Sequence, residues 1–370
     1  MCIRDRNWRL AQKDFILLLR NPLTYVGILA MVMIVVTTVL PYLDLHANYR
    51  TEEEEVQYSP DADIMDGYIP TPTEERWEYV SEKMEEVLVA ECGLNSEEAQ
   101  AQMNKIKNSQ WSVQEIRQYF IDQYGIVGFA STWDECSYKK ATETEMQQYL
   151  QRIFKDETYT SYFSRKYADY IGIASILFTI VVFSILLMRD MRKNIYSFIH
   201  TKPISGFSYV AGKYVTGILL ITIVVAIQTF VFDVLAVNVG KSYGFQANLL
   251  DIWKNVIAFD LPGILLTGCI MLFIAILFKN IIPAIPAMLL YFMYANIGTI
   301  DTVEGYRYQI KPGAIFVRFP QLFTETEVPQ GIVGNQIFLL VLAITLFILS
   351  IQVWDCLLYT SDAADDLTRV

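Results

Sequence analysis

Histidine is nearly missing from this chain, where His46 and His200 are the only two. A His-Glu-x-x-His zinc helix or a multi-histidine catalytic centre therefore cannot be assembled from it. The Gly-x-Ser-x-Gly elbow of serine hydrolases does not occur either. Two fragments approach a phosphate-binding loop and both fail. Gly240 to Ser242 reads Gly-Lys-Ser with Leu235 where the first glycine belongs, and Gly212 to Tyr214 has Gly206 one residue too far away and a tyrosine in place of Ser or Thr. Asp61 to Gly67 starts like a calcium loop, but its third acid is displaced and no Glu closes it, so a solvated acidic loop is the simpler reading. Charge is scarce too, at 19% of residues. Of the acids in or beside the apolar runs, Asp169, Asp233 and Asp260 all lie near run ends, which disfavours a proton- or sodium-driven antiporter needing mid-membrane acids.

What the chain has in quantity is apolar surface. It is 53% hydrophobic and 14% aromatic, with a mean hydropathy of +0.30, too apolar for an ordinary soluble chain of 370 residues. A helical span needs roughly 20 apolar residues to cross about 30 Å of hydrocarbon. Six runs qualify: 23–43, 168–188, 214–237, 256–278, 281–299 and 333–354. Only Lys279 and Asn280 separate the fourth and fifth, which predicts a tight helical hairpin, and Pro262, Pro283 and Pro286 lie in or beside it. The expected fold is thus an all-α polytopic membrane protein of six transmembrane helices.

Lys and Arg set the expected orientation. Eleven fall in residues 1–22, in residues 189–213 and at Lys279, against five on the opposite side, so both termini are expected in the cytoplasm and residues 44–166 outside. That outer segment accounts for the net charge of −11, since residues 44–165 hold 25 acids and 11 bases. An acidic ectodomain repels polyanions and excludes nucleic acid as its partner. Residues 51–75 are polar and loop-like. Helical signals follow: a run from Thr73 capped by Gly93, a start at Ser96, a Ser112 to Glu115 capping box, and a run from Glu143 to Phe154. A small, mostly helical domain is expected there, followed by an outer loop at 300–332. Cys92 and Cys136 are its only cysteines, and an oxidising exterior allows a disulfide between them. Cys269 reads as a small packing residue.

The two ends differ from the rest. Met1 to Arg6 and the tail after Trp354, residues 355–370, resemble translated sequencing-adapter read-through and are left out of the fold reading. Residues 7–22 carry Leu10, Phe15, Leu18 and Leu19 beside Arg9, Lys13 and Arg20, the pattern of an interfacial helix that Pro22 ends.

Between the second and third runs, residues 189–213 place Asp190 after the span, Ile195, Phe198 and Ile199 on one face of a short helix, then His200, Thr201, Lys202 and Pro203, and Ile204 and Ser205 before Gly206. Such a helix, apolar on one side and basic at its flank, suits a groove on a soluble partner. With Tyr209 to Lys213 leading back into the membrane, the arrangement resembles the permease subunits of type 2 ABC exporters, a likeness that extends over roughly Asn7 to Trp354. Arg192, Lys193 and Asn194 stand where that family often has Glu and Gly-Thr, and Lys202 intrudes beside Pro203. The resemblance implies a coupling helix formed by Asp190, Ile195 and Phe198 to Ser205. It would dock on a separate ATP-binding subunit that carries ATP and Mg, with no cofactor in this chain, and a second permease copy or a related permease would complete the export path. Peptide, lipid-linked and antibiotic cargoes all remain open. The rival reading is a membrane-anchored sensor or envelope-assembly protein with a ligand-binding ectodomain, against which stands the lack of a cytoplasmic signalling domain in the sequence.

Overall fold

The computed structural model describes residues 3–44, 48–62, 64–109, 111–201, 204–297, 310–319 and 322–367. They form two compact units, one of residues 1–43 with 157–370 and the other of residues 44–156.

The first unit is a bundle of apolar helices. α1 (Ile3–Arg20) and α2 (Pro22–Val39) are split at Asn21, whose side chain accepts from Leu23 N–H while Pro22 opens the next helix with no donor to lose. Helix therefore begins at Ile3, inside the segment set aside as read-through. Among the described residues five helices are long and apolar enough to cross a membrane: Pro22–Leu43, Tyr159–Asp190, Gly206–Ser242, Leu250–Phe278 and Ile332–Leu357. The run expected at 281–299 forms only a helix at Ala284–Asn296, 13 residues long and so roughly 20 Å, short of a bilayer; residues 298 and 299 lie outside the described part. Pro283 sets its start, and Lys279 in the left-handed region (φ 51°) ends the preceding helix. The last helix continues to Leu367, through much of the segment set aside as read-through.

Sequence and structure part company at two further points of this unit. The span expected to start at 256 is helical from Leu250, with one π turn at Val256–Asp260, where Pro262 offers no N–H to the carbonyl of Ala258. The described part of the 300–332 loop is not an open connection. Ala314, Ile315, Phe316, Val317 and Phe319 are fully buried, and Gly263 lets the Ile315 carbonyl approach so closely that a Cβ there would stand 1.7 Å from it. Asn335 fixes the same segment, accepting from Gly313 N–H at 2.7 Å and donating to Ala314 O at 2.9 Å.

The second unit is mostly helical, as expected, around Met84, Leu88, Met103, Ile106, Phe120 and Phe129. Its helices run Thr73–Cys92, Ser96–Lys107, Val113–Tyr124, Phe129–Glu135 and Glu143–Asp156. Gly93 caps the first in the left-handed conformation, and Ser112 and Glu115 form the expected capping box. The cap expected at Ser96 is instead Asn95, boxed with Glu98. The sequence reading missed a small antiparallel sheet, in which Tyr138–Lys140 lies between Tyr58–Ser59 and Tyr68–Pro70. Cys92 and Cys136 are both free thiols, so the disulfide considered for them is not formed. The Sγ of Cys136 faces the Thr132 and Trp133 carbonyls at 3.6 Å, and burial pushes this thiol up.

Candidate functional site

We label the elements that build the site in chain order after α1 and α2: α3 is Tyr159–Asp190, α4 is Lys193–His200, α5 is Gly206–Ser242 and α6 is Ile332–Leu367. The short helix expected between spans is α4. Its first turn closes with Ile195 and Tyr196 N–H donating to Arg192 O, and past its end the Thr201 hydroxyl donates to Phe198 O at 2.8 Å. Phe198 is 61% exposed, while Ile195 and Ile199 are half-buried. His200 ends the helix, and Lys202 and Pro203 lie outside the described residues. Ile204 is half-buried in the connection. Ser205 belongs to the next element, because its side chain accepts from Ser208 N–H and caps α5.

Directly after this connection the chain is pinned. Gly206 N–H donates to Asp355 Oδ1 at 2.7 Å, and a Cβ at Gly206 would stand 2.6 Å from that oxygen, so only glycine fits. Asp355 had been assigned to the read-through segment; here its carboxylate engages α5. One turn further on, Tyr209 stacks on Trp354 of α6 with ring centroids 3.7 Å apart at 13°, and Tyr196 of α4 meets the edge of the same indole. The Tyr209 hydroxyl donates to Asp190 Oδ2 at 3.2 Å.

Lys213 completes the arrangement. Its Nζ stands 2.6 Å from Asp190 Oδ2 and 2.9 Å from Asp14 Oδ2, with the lysine side chain 4% exposed. Asp14 is held above the usual carboxylate range by burial, which outweighs the lowering effect of Lys213. Three helices, α1, α3 and α5, thus share one buried ion cluster, and aromatic stacking adds α6. The Thr216 hydroxyl, which bonds Gly212 O at 2.7 Å, also reaches Ala11 O of α1 at 3.3 Å. Sequence reading had singled out Asp190 and counted Lys213 among the flanking cations, but it missed Asp14. The signal was present: Asp14 lies four residues from both Leu10 and Leu18, on the apolar stripe of its helix. An acid on such a stripe needs a buried partner.

A second polar group lies elsewhere in the first unit. Asp169 accepts from Arg318 Nε at 2.5 Å and Phe319 N–H at 2.9 Å, and Lys166 Nζ donates to Phe319 O at 2.7 Å. These bonds hold the buried 314–319 segment against α3. Asp260, at the end of the π turn, is 1% exposed, and neither carboxyl oxygen has a hydrogen-bond partner among the described residues. Only a glycine at 172 leaves room for it.

Among the described residues, five helices of spanning length and composition place the chain in the class of multi-pass, mostly helical membrane proteins. Comparison with protein-family models, with curated proteins and with solved structures gave no match to the chain.

Proposed function

We propose that this chain is the membrane subunit of an ATP-driven exporter of the type 2 ABC kind, carrying no ATPase chemistry of its own. The reading rests on one observation. A short amphipathic helix, α4, presents Phe198 outward between two membrane helices and is flanked in the chain by Asp190 and Lys213, members of a buried ion cluster that ties three helices together. A push on α4 from a soluble partner reaches α5 and α6 through Tyr196, Trp354 and Tyr209, and reaches α1 and α3 through Lys213. Packed cores with fixed ion pairs move as rigid bodies rather than deforming continuously, which is what coupling ATP binding to alternating access requires.

In this reading the α4 end is cytoplasmic, in line with the excess of Lys and Arg there, and residues 44–166 are extracytoplasmic. A sixth crossing would be made by the whole 281–299 run, of which the Ala284–Asn296 helix is only part, and a second copy or related permease supplies the other half of the path. ATP and Mg are bound by the partner ATPase. The test is to co-purify the full chain with a candidate ABC-type ATPase, with and without Phe198→Asp and Ile199→Asp. Loss of the complex, or hydrolysis no longer responsive to the membrane subunit, supports the reading. A chain that recruits no ATPase, or recruits it equally well with both substitutions, returns attention to residues 44–156 and to a sensor or assembly role.

A further inference from the structure

Where α1 passes into α2, an apolar groove of about 700 Å³ runs along α2 and α3. Val26, Gly27 and Ala30 line one wall and Ile180, Val181 and Ile185 the other. Gly27 forms its narrow floor, since a Cβ there would stand 3.1 Å from the Phe178 ring. Arg189 and Arg192 line the same groove, and Arg189 also lines an adjoining cavity of about 500 Å³ that includes Lys13 and Arg20. All four cations are exposed. Among the described residues none of the four takes part in an ion pair, in contrast to Lys213 a short way along the chain. The Ser184 hydroxyl, which also faces the groove, is buried without a hydrogen-bond partner.

An apolar slot with Arg189 and Arg192 in its lining, and Lys13 and Arg20 in the adjoining cavity, has the chemistry of one kind of occupant, an acyl chain carrying an anionic headgroup. We propose that this groove binds an anionic phospholipid, with an acyl chain between α2 and α3 and the headgroup phosphate held by Arg189 and Arg192 and flanked by Arg20 and Lys13. Neutral lipid would fill the slot but leave the cations facing one another. Soluble phosphate esters would meet the cations but leave the slot empty. Basic pockets between membrane helices at the headgroup level recognise anionic lipid in this manner, and arginine is suited to it by its planar fork of donors. The site does not depend on the exporter reading, because neither α4 docking nor any partner enters the argument.

The full chain, purified in detergent, is titrated with fluorescent phosphatidylglycerol, using phosphatidylcholine of the same acyl chains and glycerol 3-phosphate as competitors. Phosphatidylglycerol is expected to bind and neither competitor to displace it. Arg189→Gln with Arg192→Gln is expected to weaken binding roughly 30-fold, at about 1 kcal/mol per surface cation, while Arg189→Lys with Arg192→Lys keeps most of it. Ala30→Trp, which obstructs the slot without touching a cation, is expected to weaken it as well. Equal binding of phosphatidylcholine, full competition by glycerol 3-phosphate, or glutamine variants that bind as the parent does would each overturn the proposal. A circular dichroism spectrum and unfolding temperature matching the parent show that the variants are folded.

Discussion

Two lysines in this chain are buried to the same extent, 4% exposed, and each sits between two carboxylates. Lys139, on the central strand of the second unit, contacts Glu75 at 2.6 Å and Glu145 at 2.7 Å; Lys213 contacts Asp190 at 2.6 Å and Asp14 at 2.9 Å. The difference is in the carboxylates. Glu75 and Glu145 are 42% and 32% exposed, whereas Asp14 and Asp190 are 14% and 11% exposed. Water can therefore rescue the glutamates if their lysine is lost, but it cannot rescue the aspartates. The titrations diverge accordingly. Burial raises Glu145, but bonds from Lys139 and Thr142 prevail and hold it below its ordinary value, whereas for Asp14 burial prevails and the group is raised. One cluster is a surface staple for a sheet, the other a junction among membrane helices.

Removing the lysines separates the two most sharply. Lys213→Met strands two buried carboxylates and is expected to cost about 3–5 kcal/mol, seen as a large fall in unfolding temperature in detergent. Adding Asp14→Asn and Asp190→Asn should recover most of that loss, and no recovery would mean that the cluster does not act as a unit. Lys139→Met is expected to cost only about 1–2 kcal/mol, because its partners are hydrated. A larger loss than at Lys213 would reverse the comparison. Asp260→Asn keeps the shape of a buried carboxyl that lacks a partner among the described residues and cannot ionise, so stability should rise by about 1 kcal/mol. A lowered unfolding temperature would show that Asp260 has a partner after all.

The smallest effect is on pH. Because Glu145 is lowered in the folded state, its contribution is present above the unfolded carboxylate value and is lost as pH falls through the folded one. The raised value of Asp14 has the opposite sign: the folded state binds the proton more readily, so its contribution to stability grows as pH falls. Hydrogen exchange, corrected for its intrinsic pH dependence, should therefore show Tyr138–Lys140 losing protection between neutral pH and about pH 4. The junction of α1 and α5 should keep its protection over that range.

What could be read from the sequence follows the range of the interactions involved. The capping box at Ser112 and the Gly93 cap depend on residues within one turn, and both stand where expected. Four of the six expected spans lie within longer apolar helices, and the first, 23–43, lies within Pro22–Leu43. The sheet could not be read, because strands of two or three residues carry no usable alternation and Tyr58 finds Lys139 across 80 intervening residues. The fifth run is apolar over its whole length, but composition does not show how far a helix extends next to Pro283. In the candidate site α4 was legible from its apolar face and following proline, whereas the Asp14, Asp190 and Lys213 cluster joins three distant segments that no spacing rule links.

The comparison also separates two places where a partner could bind, and one measurement distinguishes them. A photo-crosslinking amino acid is placed at Phe198 of α4 or at Val127, which is 70% exposed in the second unit, in cells that co-express the candidate ATPase. The account expects the ATPase to be captured from position 198 and not from 127. Capture from 127, or from neither position while the two proteins still co-purify, would contradict the assignment of α4 as the coupling helix.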